Sequence, residues 1–505
     1  MIENLTLAFG MVASWNLLIV VLASGVYGIF IGSIPGLTAT LATALLVPFA
    51  YFLDPLPAVA SIITMSAMAI FAGDIPSALV RMPGTPASAA YVEDSYRITQ
   101  SGKGALALGV GLLAAATGGI IGGLSVMFAA PQLAKVALLF TSYEYFWVAV
   151  LGLTAAVIIS RGSQVKGTIA LLIGLFVSTI GLDISVGYPR FTFGNPYLLG
   201  GINFIPAMIG LFGLSQVLRD VIKPPKVPVP IRIHAKGMLR EAARTIWRYK
   251  TTAVSGNAIG IAIGALPGAG SDIAAWVSYA VTKNSSKEGK FFGRGTGHIQ
   301  PIVGCGSANN AGISAAFIPT LVFGIPGDTV TAILLGILIV KGIQPGPALF
   351  DTQAPMLYSI FIVFIVANIL LIPLGYLAIR GSGMLLRVPG SVLMPIILAF
   401  CVVGSFSINN GLLEVIVMLC FGILGYVLER ADFPLAPVVL GLVLGPIVEK
   451  NFMQSVIKTR WDLSQFLTRP MSATLIILTI VVLVYPGIQS GLTKVHSRRK
   501  LVVRR

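Results

Sequence analysis

Residues 4–53 read NLTLAFGMVASWNLLIVVLASGVYGIFIGSIPGLTATLATALLVPFAYFL and contain no Asp, Glu, Lys or Arg. A membrane-spanning helix needs about 20 apolar residues, so this run has room for two. Further uncharged runs follow at 104–134, 295–327 and 352–379. Lipid cannot satisfy backbone hydrogen bonds, and runs this long and apolar are typical of helices, not of the alternating strands of a barrel. The sequence therefore predicts an all-α, polytopic membrane protein.

The composition of the whole chain agrees with that prediction. Of 505 residues, 56% are hydrophobic and only 10% are charged, whereas soluble domains carry about 25% charged residues. We predict about 12 full crossings, accompanied by re-entrant or broken helices. The N-terminus has no basic segment before its apolar run, so we do not expect a cleaved signal peptide.

The net charge of +16 comes from basic residues in a few segments. Residues 219–250 hold nine Lys/Arg and two Asp/Glu, and residues 494–505 hold six Lys/Arg and no acid. The positive-inside rule places both segments in the cytoplasm, so the charge indicates topology and not a nucleic-acid partner. We divide the chain into a first transmembrane repeat (1–218), a basic cytoplasmic linker (219–250), a second transmembrane repeat (251–450), and a C-terminal helix with a cytoplasmic tail (451–505).

Four of the Pro-Gly pairs that interrupt the apolar sequence match between the predicted repeats, two in each. We call Pro35-Gly36, Pro83-Gly84, Pro267-Gly268 and Pro326-Gly327 the first to fourth breaks. They recur in the same order and at similar spacing in the two halves, which indicates an internal duplication. Paired interruptions of this kind are the best sequence indication of a transporter binding site.

The chemistry of a Pro-Gly pair explains why a break can bind a solute. Proline lacks an N–H and clashes with the preceding helical turn, while glycine opens backbone conformations that other residues avoid. The break leaves free carbonyl groups on one side, which suit a cation. It leaves a helix N-terminus with partial positive charge on the other side, which suits an anion. A simple kink or an interfacial turn is the alternative for any single break.

Ionisable residues inside apolar sequence are the next candidates. We expect Asp74 and Asp328, with Thr329, to bind a coupling ion or to cap helices. Asp272 is a third acidic candidate, for which a helix cap is the alternative. Arg81 precedes the second break, and its guanidinium can hold a carboxylate in bidentate fashion. Arg81 is equally compatible with a position among lipid headgroups or with an ion pair to Asp74.

Neutral polar residues cluster near the same breaks. Adjacent amides in the run 304–312, which we predict to be flexible, could bind a carboxylate or sodium; interhelical hydrogen bonding is the alternative. The GxxxG pairs, such as Gly28/Gly32 and Gly260/Gly264, indicate close helix packing. With the four breaks and Arg81, the polar residues of the predicted substrate site are Thr38, Thr85, Ser88, Ser271, Asn309 and Asn310.

Sequence signals for an enzyme are poor. The chain has no GxSxG, no HExxH and no Walker lysine–serine pair, so we expect neither catalysis nor nucleotide hydrolysis. The three cysteines are far apart and suggest neither a disulfide framework nor a metal site. We therefore expect no cofactor except a coupling ion.

At these motifs the chain resembles the large membrane subunit of the tripartite tricarboxylate transporter family. The resemblance is strongest at Gly32-Ser-Ile-Pro-Gly-Leu37, Leu79-Val-Arg-Met-Pro-Gly-Thr-Pro-Ala-Ser-Ala-Ala90, Pro267-Gly-Ala-Gly270, Phe292-Gly-Arg-Gly295, Ala308-Asn-Asn-Ala311, Gly324-Ile-Pro-Gly327 and Gly342-Ile-Gln-Pro-Gly-Pro-Ala-Leu-Phe350. The chain departs from the family pattern at Asp74, Arg81, Cys305-Gly306 and Asp94-Ser-Tyr96.

The resemblance implies a function and partners. It implies an importer of small carboxylates in the bacterial inner membrane, driven by an ion gradient, with Na⁺ or H⁺ as the coupling ion. It also implies two inverted repeats that hold the substrate between the breaks. The partners would be a small four-helix membrane subunit and a periplasmic solute-binding receptor, and a homodimer of the complex is compatible with it.

We weigh three other functions against a symporter subunit that works by alternating access. The first is a membrane-embedded enzyme acting on a lipid-linked substrate, for which Asp74, Asp272, Asp328 and His298 are the available acid and base groups. The second is a passive anion channel, and the third a purely structural membrane subunit. Solute uptake against its gradient, driven by sodium or protons, distinguishes the symporter from all three.

Overall fold

The computed structural model describes residues 2–159, 163–183, 187–224, 233, 235, 237–294, 297–386, 389–462 and 464–483. Part of the predicted basic linker (225–232, 234 and 236), Gly295 of the glycine-rich segment and the predicted cytoplasmic tail (484–505) lie outside the described residues.

Long helices dominate the described chain. In chain order, they are α1 (Ile2–Val12), α2 (Trp15–Gly32), α3 (Ala39–Phe52), α4 (Pro55–Ala72), α5 (Asp74–Val80), α6 (Val92–Ile98), α7 (Gly104–Ala137), α8 (Ser142–Ile159), α9 (Gln164–Ser178), α10 (Phe204–Met208), α11 (Ser215–Ile222), α12 (Met238–Arg248), α13 (Lys250–Gly264), α14 (Gly270–Ser285), α15 (Gln300–Phe323), α16 (Thr329–Val340), α17 (Leu349–Thr352), α18 (Ala354–Leu385), α19 (Gly390–Asn409), α20 (Leu412–Arg430), α21 (Leu435–Lys458), α22 (Gln465–Thr468) and α23 (Pro470–Leu483).

Shorter elements connect these helices. The described elements include 3-10 turns at Ser88–Ala90, Pro196–Leu198 and Gly289–Phe291, and π-helical segments at Thr99–Lys103 and Ile209–Leu214. Strands β1 (Gly181–Leu182) and β2 (Pro189–Arg190) pair antiparallel.

The predicted polytopic all-α membrane fold is confirmed. Among the described residues, eight helical stretches are long and apolar enough to cross a membrane. Three of these stretches join shorter pieces, since α4 continues into α5, α6 continues into α7, and α10 continues through a π-helical segment into α11. Four shorter apolar helices accompany them: α3, α9, α16 and α23.

The chain forms two compact units. Unit 1 comprises Met1–Leu138 and Asn203–Arg430, and unit 2 comprises Leu139–Ile202 and Ala431–Arg505. Each unit therefore combines segments from both predicted halves of the chain. All four Pro-Gly breaks belong to unit 1.

Glycines allow the helices of unit 1 to pack with their backbones in contact. Side chains at Gly28 and Gly32 of α2 would collide with backbone carbonyl oxygens of α4, and α13 meets α15 in the same way at Gly260 and Gly264. These collisions confirm that the GxxxG pairs are packing positions, as small residues at membrane helix interfaces usually are. In both pairs the residue numbers rise together, so α2 is parallel to α4 and α13 is parallel to α15.

The two helix pairs run in opposite directions. The Asn310 amide on α15 donates to the Ala67 carbonyl oxygen on α4, 3.4 Å away. A methyl group on Gly111 would lie 2.9 Å from the Asp74 carboxylate and 3.8 Å from Ile302. In the direction from Ala67 to Asp74, residue numbers therefore rise along α4 and α5 while they fall along α15. This antiparallel relation is the one that two inverted repeats require.

The run 304–312 is not flexible, contrary to the sequence prediction. It lies within α15, and every residue of the run is buried. Its small residues serve close packing, because methyl groups on Gly304 and Gly312 would lie 2.6 Å from Thr282 and 3.0 Å from Ser271 of α14, and Gly118 of α7 lies against the Ser307 backbone. A glycine-rich sequence is therefore helical here because atoms of the neighbouring helices fill the space that side chains would occupy.

Unit 2 is held together by α8, α9 and α21–α23. The Glu144 carboxylate on α8 accepts hydrogen bonds from Ser472 at 2.7 Å and from Arg469 at 3.0 Å. Arg190 on β2 pairs with Asp183 at 3.2 Å and with Glu449 on α21 at 2.7 Å. These buried or half-buried ion pairs fix the connecting segments to the long helices of the unit.

Candidate functional site

The first and third breaks lie at the tips of two helical hairpins. Helix α4 begins shortly after α3 ends and runs parallel to α2, so α3 must return toward the end of the bundle where α2 begins. In the second half, α15 is parallel to α13, so α14 must return toward the end of the bundle where α13 begins. Gly36 and Gly268 turn the chain at the tips with φ values of 91° and 79°, a conformation that favours glycine.

Within each half, the two breaks lie close together. The Gly84 N–H of the second break donates to the Gly73 carbonyl oxygen at 3.2 Å. A methyl group on Gly84 would lie 3.1 Å from the Gly32 carbonyl oxygen, at the end of the helix that leads to the first break. In the second half, the Gly268 N–H of the third break donates to the Pro326 carbonyl oxygen of the fourth at 3.3 Å.

Across the halves, α3 and α16 join the first break to the fourth. The hydroxyls of Thr40 and Thr329 are 2.8 Å apart at the starts of the two helices. At their far ends, the Lys341 ammonium group donates to the Tyr51 carbonyl oxygen at 2.5 Å. The two helices therefore run side by side, away from their breaks.

The corresponding contact on the other side joins α14 to the segment after the second break. The Trp276 indole N–H donates to the Pro86 carbonyl oxygen at 3.0 Å. One helix turn further on, the Tyr279 hydroxyl donates to Asp94 on α6 at 3.3 Å. With the contacts above, these bonds link the neighbourhoods of all four breaks in one circuit within unit 1.

Three helix N-termini converge beside the first, third and fourth breaks. The Thr38 hydroxyl caps α3 by accepting the Leu41 N–H at 3.2 Å, and Asp328 caps α16 by accepting the Thr331 N–H at 2.8 Å. A methyl group on Gly270, where α14 begins, would lie 2.6 Å from the Asp328 side chain. Each N-terminus carries partial positive charge, so the arrangement favours a negatively charged group nearby.

The polar residues at this convergence retain partial exposure. Gly36, Thr38, Gly268, Asp328 and Thr329 are all half-buried, whereas Pro35, Pro267, Ser271, Pro326 and Gly327 are buried. The half-buried set therefore supplies the groups that a solute can reach, and the buried set supplies the framework that holds them.

The segment after the second break is held by its own hydroxyl groups. The Ser88 hydroxyl accepts the Thr85 N–H at 3.1 Å and a hydrogen bond from Ser77 at 3.0 Å. The Thr85 hydroxyl accepts the Ser88 N–H at 3.2 Å. Thr85, Ser88 and Gly84 are buried, while Pro83 is exposed. The predicted site residues of this break therefore bind one another in the structure.

Arg81 lies at the surface of this region. Its side chain is 55% exposed and pairs with Glu93 at 2.8 Å. The alternative ion pair with Asp74 is wrong, because the Asp74 carboxylate bonds to the Tyr91 hydroxyl at 2.6 Å. Arg81 ends α5 with a φ of 57°, so a left-handed turn directs its side chain away from the helix.

The two adjacent asparagines of α15 differ in their surroundings. The Asn310 amide group bonds to Asn368 on α18 at 3.0 Å and to Ala67 on α4 at 3.4 Å, which is the interhelical bonding that the sequence left as an alternative. Asn309 is buried, and its amide oxygen has no partner among the described residues. The Ser307 hydroxyl, also buried on α15, has no described partner either.

Gln216, which no sequence motif had singled out, lies at the first break. A methyl group on Gly36 would lie 3.5 Å from the Gln216 amide nitrogen. That nitrogen donates to Asp220 at 2.7 Å, and Arg219 donates to the Gln216 amide oxygen. Arg219 also pairs with Glu429 on α20 at 3.3 Å. The sequence signal that could have identified Gln216 is a glutamine at the apolar end of a helix whose other end is charged.

Comparison with known proteins decides the family. Residues 18–440 match the model of the tripartite tricarboxylate transporter TctA family. The chain belongs to the TctA family. That family is the large subunit of a tripartite system, which implies a small membrane subunit and a periplasmic receptor as partners. It is a transporter family, in agreement with the expectation of no enzyme.

Two proteins of Agrobacterium vitis are similar to this TctA-family chain. An uncharacterized 52.8 kDa protein in the TAR-I ttuC' 3' region is 33% identical over 502 residues, covering 98% of both chains. An uncharacterized protein in the TAR-II ttuC' 3' region is 37% identical over 234 residues, covering 46% of this chain and 96% of its own length. No solved structure matches the chain.

Proposed function

We propose that this TctA-family chain binds a small di- or tricarboxylate between its four breaks and imports it by alternating access. The observation that carries the proposal is the circuit of contacts that joins the breaks of the two halves. The bond between Thr40 and Thr329 and the bond between Gly268 and Pro326 are its central links. Antiparallel halves that meet at one site can open it to either side of the membrane in turn.

The electrostatics of the site support a negatively charged substrate. The N-termini of α3, α14 and α16 face the region of the first, third and fourth breaks, and backbone N–H groups at helix starts are ready-made anion sites. The hydroxyls of Thr38 and Thr329 are half-buried there. Arg81, exposed beside the second break, would meet the substrate during entry or release and not at the convergence itself.

A coupling cation would offset the charge of the substrate. Asp328 and Thr329 offer side-chain oxygen atoms at the fourth break, and a site built from oxygen atoms suits Na⁺. Asp74 is the second candidate and suits a proton. Because a bound anion lies close to Asp328, a cation between them would make the binding of both ions cooperative.

The remaining features of the function follow the family. We propose that the chain works in the bacterial inner membrane with a small four-helix subunit and with a periplasmic receptor that delivers the substrate. The basic linker (219–250) and the C-terminus would face the cytoplasm under the positive-inside rule. A homodimer of the complex is compatible with this arrangement.

Uptake into membrane vesicles tests the proposal. The chain is produced with its small subunit and receptor, and vesicles receive radiolabelled citrate, or in parallel a series of di- and tricarboxylates, under an imposed sodium or proton gradient. We expect accumulation against the solute gradient that ends when an ionophore collapses the ion gradient. Flux that only runs downhill would identify a channel, and no flux with any carboxylate would contradict the proposal.

Two threonine variants localise the site in the same assay. Thr329→Val removes the hydroxyl that bonds to Thr40 and should lower the apparent affinity for the carboxylate. Thr117→Val is the matched control, because the Thr117 hydroxyl lies on the exposed face of α7 and bonds only to its own helix. Equal effects of the two variants would remove the fourth break from the site.

A further inference from the structure

Asp74 is a buried carboxylate at the junction of α4 and α5, and its side chain lies in the interior of unit 1. The residue is 4% exposed. One carboxylate oxygen accepts a hydrogen bond from the Tyr91 hydroxyl at 2.6 Å. The other oxygen faces the backbone of α7, where a methyl group on Gly111 would lie 2.9 Å from it. No cationic side chain pairs with Asp74 among the residues that the structure describes.

The elements packed around Asp74 supply few titratable groups. Helix α4 and the turn Ser88–Ala90 carry none, and α7 carries only Lys135 near its far end. Helix α15 contributes Cys305, which is buried and lies within electrostatic range of Asp74. None of these groups can neutralise a carboxylate, since a thiol carries no positive charge and Lys135 is about seven helical turns away from Gly111, which faces Asp74.

Helix α6 carries charged residues, but they are paired elsewhere. Glu93 binds Arg81 at 2.8 Å and Arg97 at 3.1 Å, which occupies both guanidinium groups. Asp94 accepts N–H groups of the segment between α14 and α15, at 3.1 Å from Gly293. Tyr96 is the remaining titratable residue of α6. The charge of Asp74 is therefore uncompensated, and an unpaired charge at membrane depth is costly.

The surroundings of Asp74 fit a proton better than a metal cation. A sodium site in a transporter is built from several oxygen atoms, commonly carbonyl groups of unwound backbone. The described contacts of the carboxylate provide a single side-chain oxygen, that of Tyr91. Gly111 and Ile302 close the other side with a helix backbone and an apolar side chain. A proton needs only the carboxylate oxygen itself.

We propose that Asp74 is a proton-binding site through which this transporter couples to H⁺, with the Tyr91 hydroxyl as its hydrogen-bond partner. The proposal rests on the proposed transport function and names one of its coupling ions. In each cycle, the carboxylate takes a proton from water on one side of the membrane and becomes a carboxylic acid. It then releases that proton on the other side, while Tyr91 keeps its own hydroxyl proton.

The position of Asp74 explains how a proton would act on the substrate site. Its neighbour Gly73 accepts the Gly84 N–H of the second break at 3.2 Å, and Tyr91 ends the segment that follows that break. The unprotonated carboxylate can only accept the hydrogen bond from Tyr91. The protonated acid also carries an O–H group, which needs an acceptor of its own. Proton binding therefore changes the bond that ties the second break to α5. Because the carboxylate is closed to water here, exchange requires the conformational change of transport.

Infrared difference spectroscopy of the full-length chain in lipid tests the proton site without any substrate. A pH titration of the wild type should show the C=O band of a carboxylic acid that grows as the pH falls. Asp74→Asn should remove this band, and Tyr91→Phe should shift its frequency because the hydrogen bond is lost. Glu414→Gln is the matched control, since Glu414 is another buried carboxylate that accepts a neutral donor, Asn409, at 2.6 Å.

The same spectra contain the result that would overturn the proposal. A band that Glu414→Gln removes and Asp74→Asn leaves in place would assign the proton elsewhere. A band that stays constant over the pH range in which the protein is stable would make Asp74 a structural hydrogen-bond donor only. Asp74→Glu keeps the carboxyl group and should keep the band. Loss of the band in Asp74→Asn alone is then not a result of misfolding.

Uptake of radiolabelled citrate in sodium-free vesicles tests coupling. Each pH unit of gradient is worth about tenfold in accumulation per coupled proton, so the wild type should gain up to this factor and Asp74→Asn should gain nothing. Asp74→Glu, which keeps the carboxyl group, should retain the gain. Unchanged stimulation of Asp74→Asn by the pH gradient overturns the proposal. If the wild type carries no carboxylate at all, the proposed function fails, and the infrared result still decides the proton site.

Discussion

Gly260→Ala tests the backbone contact between α13 and α15, which sets the third break against the fourth. A methyl group on Gly260 would lie 2.5 Å from the Ala308 carbonyl oxygen and 2.9 Å from the Ala311 Cβ, whereas ordinary contact begins at 3.4 Å, so the helices must separate by about 0.9 Å. Overpacking of this size costs about 1–3 kcal/mol. We therefore expect the free energy of unfolding to fall by that amount.

The same displacement should impair transport. The bond from Gly268 to the Pro326 carbonyl oxygen is already 3.3 Å long, and a separation approaching 0.9 Å would exceed the length at which an N–H group still bonds to oxygen. The third and fourth breaks would then lose their direct link. We expect carboxylate uptake by Gly260→Ala to fall more than its amount in the membrane does.

Gly381→Ala is the control for this experiment. Gly381 lies within α18, and nothing is within 4 Å of a methyl group built there. Alanine is a better helix former than glycine, so this variant should be more stable by about 0.5–1 kcal/mol. Chemical denaturation of the purified variants in detergent, together with uptake, gives both readouts. The reasoning is refuted if Gly260→Ala is as stable as the wild type or if both variants shift stability in the same direction.

Variants at three further residues examine the site. Arg81→Ala should lower uptake and change stability by less than about 1 kcal/mol, because its ion pair with Glu93 is exposed; unchanged uptake kinetics would remove Arg81 from the site. Asn310→Ala should cost about 0.6–1.7 kcal/mol in denaturation through the lost bond to Asn368, and no loss would mean that the helices do not meet there. Gly268→Ala should lower the free energy of unfolding by about 1–2 kcal/mol, since a Cβ is strained at the φ of 79° that Gly268 adopts. Gly268→Asn should lower it less, because asparagine tolerates the left-handed conformation better. Equal losses would contradict a left-handed conformation at the tip of this hairpin.

Much of the fold could be predicted because the bilayer imposes it. Uncharged runs long enough to cross lipid became helices α2, α3, α7 and α18, and the GxxxG pairs became packing positions. The run 304–312 misled the prediction, because small residues resemble a loop in sequence. Only the contacts with the neighbouring helices α7 and α14 show why glycine is required inside α15.

The site could be predicted in outline and not in its contacts. The four breaks are visible as Pro-Gly pairs, and the structure brings their surroundings together. The partner of Arg81 could not be predicted, because Glu93 follows twelve residues later across a turn whose direction depends on the left-handed φ of Arg81. The roles of Gln216 and Tyr91 depend on tertiary contacts that no local pattern indicates.

Protection of a single cysteine at the fourth break tests the central claim most directly. Cys420 is exposed while Cys305 and Cys401 are buried, so Cys420→Ser provides a background in which Thr329→Cys is the reactive position. The rate of modification by a small, charged thiol reagent is measured in vesicles with and without the carboxylate that the wild type accumulates. We predict that this carboxylate slows the modification and that an uncharged analogue does not. An unchanged rate in a variant that still transports would contradict the account.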